Sequence, residues 1–418
     1  MSPPDVKRRR SLSHVGGAVV TSGDRQLAAL LAGALDVEPA REPTAAATED
    51  DADRMHVHGF HAYPARIHPV TAARLVRAIS REGATVLDPF CGSGTVLVEA
   101  MIAKRRAIGT DLNPLAARLS RLKTSLPDES ARTAIVSAAT AVGAFADDRR
   151  KRKAGATKRY PPDDVEIFDP HVLLELDSIQ AGIAEHCGAA PAVRDALELV
   201  LSAILIKVSR RASDTSTALV TRRLAGGFAA RLFVSKSAEL SRRLGELAQQ
   251  MPAGASSARV ELDDATKLRA IAASTVDAVV TSPPYVSTYD YLAQHAARLR
   301  WLKLDATRFA AAEIGARRRF AKLDAQAARA GWSRELEAVL RSMRRVCRTG
   351  SRAVLVLADS AVQGEALRAD TILGAVARKA GFAVIARASQ ARPHFHGPTA
   401  PAFQDRPRAE HAIALQKE

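Results

Sequence analysis

The sequence predicts a doubly wound α/β sheet interrupted by a helical insertion, and three observations carry that reading. Strand, glycine turn, helix and strand follow one another between Ala84 and Asp111. Strand and helix patterns alternate again from Ala258 onward. Between these two regions, residues 125–255 are largely helical in periodicity.

In chain order, residues 1–54 look weakly organised: a basic start, one short helical stretch over Asp24–Asp36, then the polar, Pro- and Ala-containing run Glu38–Asp53. They read as a mobile arm. The run from His56 to Ser80 gives a loop and then an amphipathic helix. ATVLDPF (Ala84–Phe90) reads as a buried strand, Cys91–Gly94 as a tight glycine turn and Thr95–Lys104 as a helix. AIGTD (Ala107–Asp111) is a second strand, and Pro114–Lys123 a second helix opened by proline at a permitted position. This is a βαβ unit, which implies a parallel strand pair.

Helical segments follow at Val172–His186 and Val193–Ser209, with Tyr160-Pro161-Pro162-Asp163-Asp164 as a turn and Arg210–Arg223 as a basic polar stretch. Another helix runs to Gln250. Strands are expected at Ala258–Leu262 and Val276–Val280, then helices near 288–303 and 333–347. Further strands are expected at Ala353–Leu357, Ala383–Arg387 and Ala412–Gln416. The resulting organisation is an arm over 1–54, a catalytic domain built from 55–124 and 256–418, and a helical insertion over 125–255 that either contacts a partner or buttresses the sheet.

Composition narrows the function. The 418 residues carry a formal net charge of +16, with basic clusters at Lys7–Arg10, Arg149–Lys153 and Arg317–Arg319. Neutralised phosphates release counterions, so a polyanionic partner is the functional reading of such charge; a merely solvating surface is the other. The three cysteines, Cys91, Cys187 and Cys347, are scattered, which argues against a disulfide framework or zinc knuckle and for a reducing, cytoplasmic setting. No apolar run approaches the ~20 residues of a membrane span, and the N-terminus lacks the apolar segment of a secretory signal. No membrane is expected as a partner.

Polar residues collect where the strands end. The first strand ends in Asp88 and opens onto Phe90-Cys91-Gly92-Ser93-Gly94; the second ends in Asp111, the third in Asp263-Asp264, the fourth in Ser282-Pro283-Pro284-Tyr285. Ligands of open α/β sheets bind outside such carboxyl ends. The glycine turn is not a phosphate loop, because no Lys follows Gly94, and it does not fit the GxGxxG spacing. Its glycines let backbone approach a ligand that has no pyrophosphate. Asp111, seventeen residues after Gly94, is placed to accept hydrogen bonds from ribose hydroxyls, so a nucleoside cofactor is implied.

DPFCGSGT (Asp88–Thr95) followed downstream by TSPPY (Thr281–Tyr285) resembles the signature pair of S-adenosylmethionine-dependent amino-methyltransferases of DNA. The SPPY spelling is commonest in the branch acting on the exocyclic N4 of cytosine, whereas adenine-N6 enzymes more often carry an acidic first residue. Tyr63-Pro64-Ala65-Arg66 with His68-Pro69, Glu313–Ala316 and Gly350–Ser360 resemble one bacterial branch. The resemblance covers residues 56–124 and 256–418, and it implies a class I methyltransferase sheet, Rossmann-like and doubly wound. It also implies S-adenosylmethionine as cofactor and a DNA base flipped from its duplex as substrate. A restriction endonuclease partner is in keeping with it.

Carried over residue by residue, Asp88, Phe90, Gly92 and Gly94 would line the methionine end of the cofactor. Asp111 would hold the ribose, Leu112 would pack on the adenine and Asp264 would meet the adenine amine. Tyr63, Pro64, Pro89, Cys91, Thr95 and Asn113 fall along the same cofactor site. Ser282, Pro283, Pro284 and Tyr285 would form the methyl-acceptor site, with Tyr285 offering a π-face to the base.

An exocyclic amine is a poor nucleophile because its lone pair is delocalised into the ring. Acceptors for its two N–H bonds let the nitrogen pyramidalise. Ser282 Oγ and the Pro283 carbonyl are such acceptors, and the prolines hold them in place beforehand. Cytosine-C5 chemistry would call for a Pro-Cys nucleophile, and that dipeptide is absent. His56, His58, His61 and His68 are dense enough to suggest metal, but their loop already matches the family, so no metal is expected. His295 reads as a packing or surface residue before it reads as a base. The rival readings are an adenine-N6 enzyme, an RNA amino-methyltransferase, and a catalytically silent nucleic-acid-binding relative.

Overall fold

The computed structural model describes residues 17–37, 52–213, 216, 218–392 and 397–418. Ten strands are assigned among them: β1 Val19–Gly23, β2 Thr85–Asp88, β3 Arg106–Asp111, β4 Arg259–Leu262, β5 Val276–Thr281, β6 Cys347–Ala358, β7 Ser360–Val362, β8 Glu365–Leu367, β9 Phe382–Ala391 and β10 Ala409–Lys417. Eight form one sheet in the order β1-β9-β10-β6-β5-β2-β3-β4, and β7 with β8 makes a separate hairpin.

The chain moves outward from β2 through β3 to β4, then returns to place β5 on the other side of β2. The pairs β2–β3, β3–β4, β2–β5 and β5–β6 are parallel, and β10 lies antiparallel between β6 and β9. The reversal between β2 and β5 is the topological switch point, where such sheets open a crevice at their strand ends. Thr85–Asp88 and Val276–Thr281 are central strands covered on both faces, which explains their near-continuous apolar sequence.

Local signals set the helix starts. Gly94 sits at φ +86 and caps the helix Thr95–Ile102, a conformation that a side chain would strain. Asn113 accepts the Leu115 N–H at 3.0 Å and opens Pro114–Thr124. Asp24 does the same for Arg25–Leu35, accepting from Leu27 N–H at 2.7 Å.

The expected mobile arm over 1–54 is corrected for residues 17–37. β1 adds to the sheet edge by pairing with β9, and the helix Arg25–Leu35 buries Leu27, Leu31 and Leu35 against the sheet. Each buried leucine contributes roughly 1.5–3 kcal/mol, enough to dock an 11-residue helix. Lys7–Arg10 and residues 38–51 lie outside the described residues.

Smaller differences have local causes. The first strand stops at Asp88 instead of Phe90, because Pro89 has no N–H to give and Phe90 N–H is taken by the Asp88 carboxylate at 3.1 Å. The helix expected near 333–347 begins at Ala325, capped by Asp324. β6 runs from Cys347, well before Ala353.

The insertion consists of helices Glu129–Lys151, Pro162–Ile167, Pro170–His186, Pro191–Val208 and Phe228–Gln250. Its leucines and valines share one apolar cluster with Leu115 and Leu119 of the sheet-covering helix. Arg118 adds bonds of 2.7 Å to both Asp195 and Glu198 across that junction. The insertion thus packs on the helix Pro114–Thr124.

Candidate active site

At the carboxyl ends of β2, β3, β4 and β5 lies one pocket. Its wall includes Asp88, Asp111 and Asp264 from three strand ends and Ser282 and Pro284 from the fourth. Residues nearly two hundred positions apart thus share one cavity.

The turn after β2 is built around Asp111. One carboxylate oxygen accepts the Gly92 N–H at 2.9 Å and the other the Asn113 N–H at 2.8 Å. Cys91 N–H bonds to Thr110 carbonyl at 3.0 Å, and Ser120 Oγ donates to the Gly92 carbonyl at 2.8 Å. Gly92 has φ +50, and a Cβ there would lie 3.3 Å from the Tyr63 ring. Glycine is needed for that approach. Burial pushes the Asp111 carboxyl up to about 6, against the pull of the backbone N–H bonds from Asn113, Gly92 and Leu112.

Two hydroxyls in this wall, Ser93 Oγ and Thr95 Oγ1, are buried without a hydrogen-bond partner. Leaving such groups unmet costs ~1–3 kcal/mol each, and a polar ligand in the pocket would recover it. With the Asp111 carboxylate, a close glycine backbone and the apolar faces of Phe90 and Leu112, these groups fit a ligand that is part nucleoside and part amino acid.

The end of β5 is fixed to the end of β2 directly. Thr281 Oγ1 donates to Asp88 Oδ1 at 2.6 Å. Burial raises the Asp88 carboxyl to about 7, opposed by that bond and by the Phe90 N–H. Pro283 is buried, while Ser282 and Pro284 are partly open to the pocket. Tyr285 sends its hydroxyl to Glu410 Oε1 at 3.3 Å and also meets Ser282, and burial raises its phenol. A loop from Glu313 to Arg317 lies over this segment. Ser287 N–H reaches the Gly315 carbonyl at 2.9 Å, and Tyr291 N–H reaches Glu313 Oε1 at 2.7 Å. Gly315 has φ +64, with a would-be Cβ only 3.2 Å from the Pro284 carbonyl.

A third wall comes from the loop before the helix Pro69–Ile79. The Tyr63 ring stacks on His295 at 4.9 Å and lies 6.3 Å from Tyr291. His295 is fully buried, neither ring nitrogen has a partner, and burial lowers it to about 3. It is a neutral packing group.

Of the residues singled out from sequence, Tyr63, Asp88, Pro89, Phe90, Cys91, Gly92, Thr95, Asp111, Leu112, Asn113, Asp264, Ser282 and Pro284 line the pocket. Pro64, Gly94, Pro283 and Tyr285 stand outside its lining. Asp264 spends its carboxylate on its own turn: Oδ1 accepts from Thr266 N and Oγ1 at 2.9 and 2.7 Å, and Lys267 lies 3.0 Å from Oδ2. Although burial pushes it upward, those bonds hold its carboxyl below the usual range. Tyr291, Phe309 and Ser93 were missed. Ser93 was legible as the hydroxyl between two glycines. Tyr291 and Phe309 sit in helical stretches that carry no local mark of a site.

Comparison with known proteins points the same way. Residues 41–121 match the family model described as DNA methylase, of the N6/N4 type. Over 71 residues the chain is 39% identical to "Type II methyltransferase M.MvaI" of Kocuria varians, covering 16% of each protein. Over 68 residues it is 34% identical to "Type II methyltransferase M.MjaII" of Methanocaldococcus jannaschii, covering 16% of this chain and 13% of the relative. The alignments thus span about a sixth or less of those curated relatives. Among solved structures, TrmN from Thermus thermophilus has a TM-score of 0.32 at 13% identity, covering 84% of this chain and 49% of that one. The rRNA methyltransferase aviRa from Streptomyces viridochromogenes has 0.35 at 13%, covering 89% and 95%. The fold is read from the strand order. The matched segment, residues 41–121, is the one that carries the glycine turn and Asp111.

Proposed function

We propose that this chain transfers a methyl group from S-adenosylmethionine to the exocyclic N4 amine of cytosine in DNA. The observation that carries the reading is the single pocket shared by Gly92 and Asp111 on one side and Ser282 and Pro284 on the other.

When bound, the cofactor supplies a methyl group made electrophilic by its sulfonium. The chain's residues do the positioning. Asp111 takes ribose hydroxyls on the lone pairs its backbone bonds leave over, and Ser93 and Thr95 offer their unmet hydroxyls to the polar end. Ser282 Oγ and the Pro283 carbonyl accept the two N–H bonds of the target amine, so its lone pair turns toward the methyl group. The rigid double proline keeps these acceptors oriented before substrate arrives, so little reorganisation remains for the reaction step. The Thr281–Asp88 bond fixes the distance between the two halves. A basic chain of net charge +16 supplies the affinity for a phosphate backbone. The serine at the head of SPPY favours cytosine, since adenine-type motifs begin more often with an acid.

The test is incubation with tritiated S-adenosylmethionine and a mixture of DNA and RNA, followed by nucleoside analysis. N4-methylcytosine in DNA is the expected product. Label in N6-methyladenine transfers the assignment to the other branch, and label in RNA alone overturns the substrate. Cofactor binding with no transfer to any nucleic acid points to a silent binding relative.

A further inference from the structure

We propose that His56, His58 and Glu99 form a binding site for one divalent transition-metal ion of the zinc class. One ligand atom from each of the three lies within 4.8 Å of the other two. Two imidazoles and a carboxylate are a donor set that such ions accept, with a fourth position left for water. The three residues are buried, with 5%, 1% and 8% of their surface exposed.

The trio is arranged but not satisfied. His58 Nε2 faces Glu99 Oε1 at 2.8 Å, and the His56 ring lies 4.6 Å from the His58 ring. Nδ1 of both histidines reaches no hydrogen-bond partner. Buried ring nitrogens without partners are rare, and these two histidines also share their cluster with a carboxylate. His56 also holds φ at +29, a strained value for a non-glycine residue, on the short turn His56–Gly59.

Two neighbouring arginines donate to backbone carbonyls of the histidine turn. Arg66 donates to the His58 carbonyl, and Arg243 Nη1 to the His56 carbonyl at 2.6 Å. Lys123 is buried with no partner for Nζ among the described residues, and burial favours its neutral form. A second trio, Asp359, Asp370 and His411, meets the same distance criterion but is saturated. Arg368 and His411 hold Asp359, Arg387 and Arg406 hold Asp370, and Ser389 takes the other nitrogen of His411. Only the first trio has donors to spare.

Such an ion would join two elements of the site. His56 and His58 belong to the loop that brings Tyr63 and Arg66 to the pocket, and Glu99 to the helix that the glycine turn opens. Its part is therefore to pin the loop, without touching the reacting groups. The inference stands whether or not the chain methylates DNA.

The experiment uses the full chain, stripped with chelator and desalted. Zn²⁺ is followed by calorimetry and Co²⁺ by its visible absorption. One equivalent should bind, with a cobalt spectrum of low-symmetry, nitrogen- and oxygen-ligated type. His56→Ala and the conservative Glu99→Gln should each weaken binding about tenfold or more. Their circular dichroism without metal should match the parent chain. The double change His394→Ala, His396→Ala, at a second His-x-His run in the sequence, should leave affinity unchanged. Absence of saturable uptake overturns the proposal. So does unchanged affinity in His56→Ala and Glu99→Gln, or loss of binding in the His394/His396 variant.

Discussion

Thr281 and Asp88, 193 positions apart in the chain, are joined by a 2.6 Å hydrogen bond from the threonine hydroxyl to the carboxylate. The bond links the ends of two neighbouring parallel strands at the switch point, and each residue is the first of one of the two motifs. Replacing Thr281 by valine keeps the shape but leaves Asp88 short of a donor. We expect a loss of ~1–3 kcal/mol in chemical denaturation, since the carboxylate is fully buried. Unchanged stability would mean that the bond does not hold the two halves.

Asp88 also sets a pH dependence. Its carboxyl is raised from 3.8 to about 7, so across that range the folded chain holds a proton that the unfolded chain releases. The stabilising contribution of the protonated group is present at low pH and is lost as pH rises through 7. Asp88→Asn removes that loss. Its stability relative to the parent should improve from pH 5 to pH 8, by on the order of 2 kcal/mol. Parallel pH profiles for the two proteins would refute the raised value.

Asp111→Ala should weaken S-adenosylmethionine binding by ~1–3 kcal/mol, measured by calorimetry on the full chain. The change also frees the Gly92 and Asn113 N–H groups, so a matched Asp111→Asn variant, able to accept one of them, should recover part of the affinity. Equal affinity in all three proteins would place the ribose elsewhere.

Ser282→Ala should lower kcat by ~10²–10³ while cofactor affinity stays within about twofold, because the lost acceptor matters when the amine pyramidalises. A fall in cofactor affinity with kcat intact would make Ser282 a cofactor-binding residue.

His295→Phe distinguishes packing from proton transfer. The ring is fully buried with both nitrogens unpartnered and stacks on Tyr63, so phenylalanine keeps the stack and removes two unmet polar atoms. Stability should hold or rise by ~1 kcal/mol, with methyl transfer retained. A loss of turnover with a changed pH–rate profile would show that the imidazole acts as a base.

The sequence by itself determined the core of the sheet and which polar residues stand at its strand ends. The mostly apolar run Val276–Val280 calls for burial, the glycine turn lets backbone come close to a ligand at a strand end, and two prolines end a ladder. What it did not determine was set by contacts across the chain. Val19–Gly23 is a largely exposed edge strand with no burial pattern to announce it, and it exists because β9 offers an unpaired edge. Tyr291 and Phe309 reach the pocket because a loop folds back over the Pro284 carbonyl. Most of all, periodicity reports what each segment buries and is silent on which distant segment it meets. That Asp88 and Ser282 share a cavity was decided by the strand order, which places β5 beside β2.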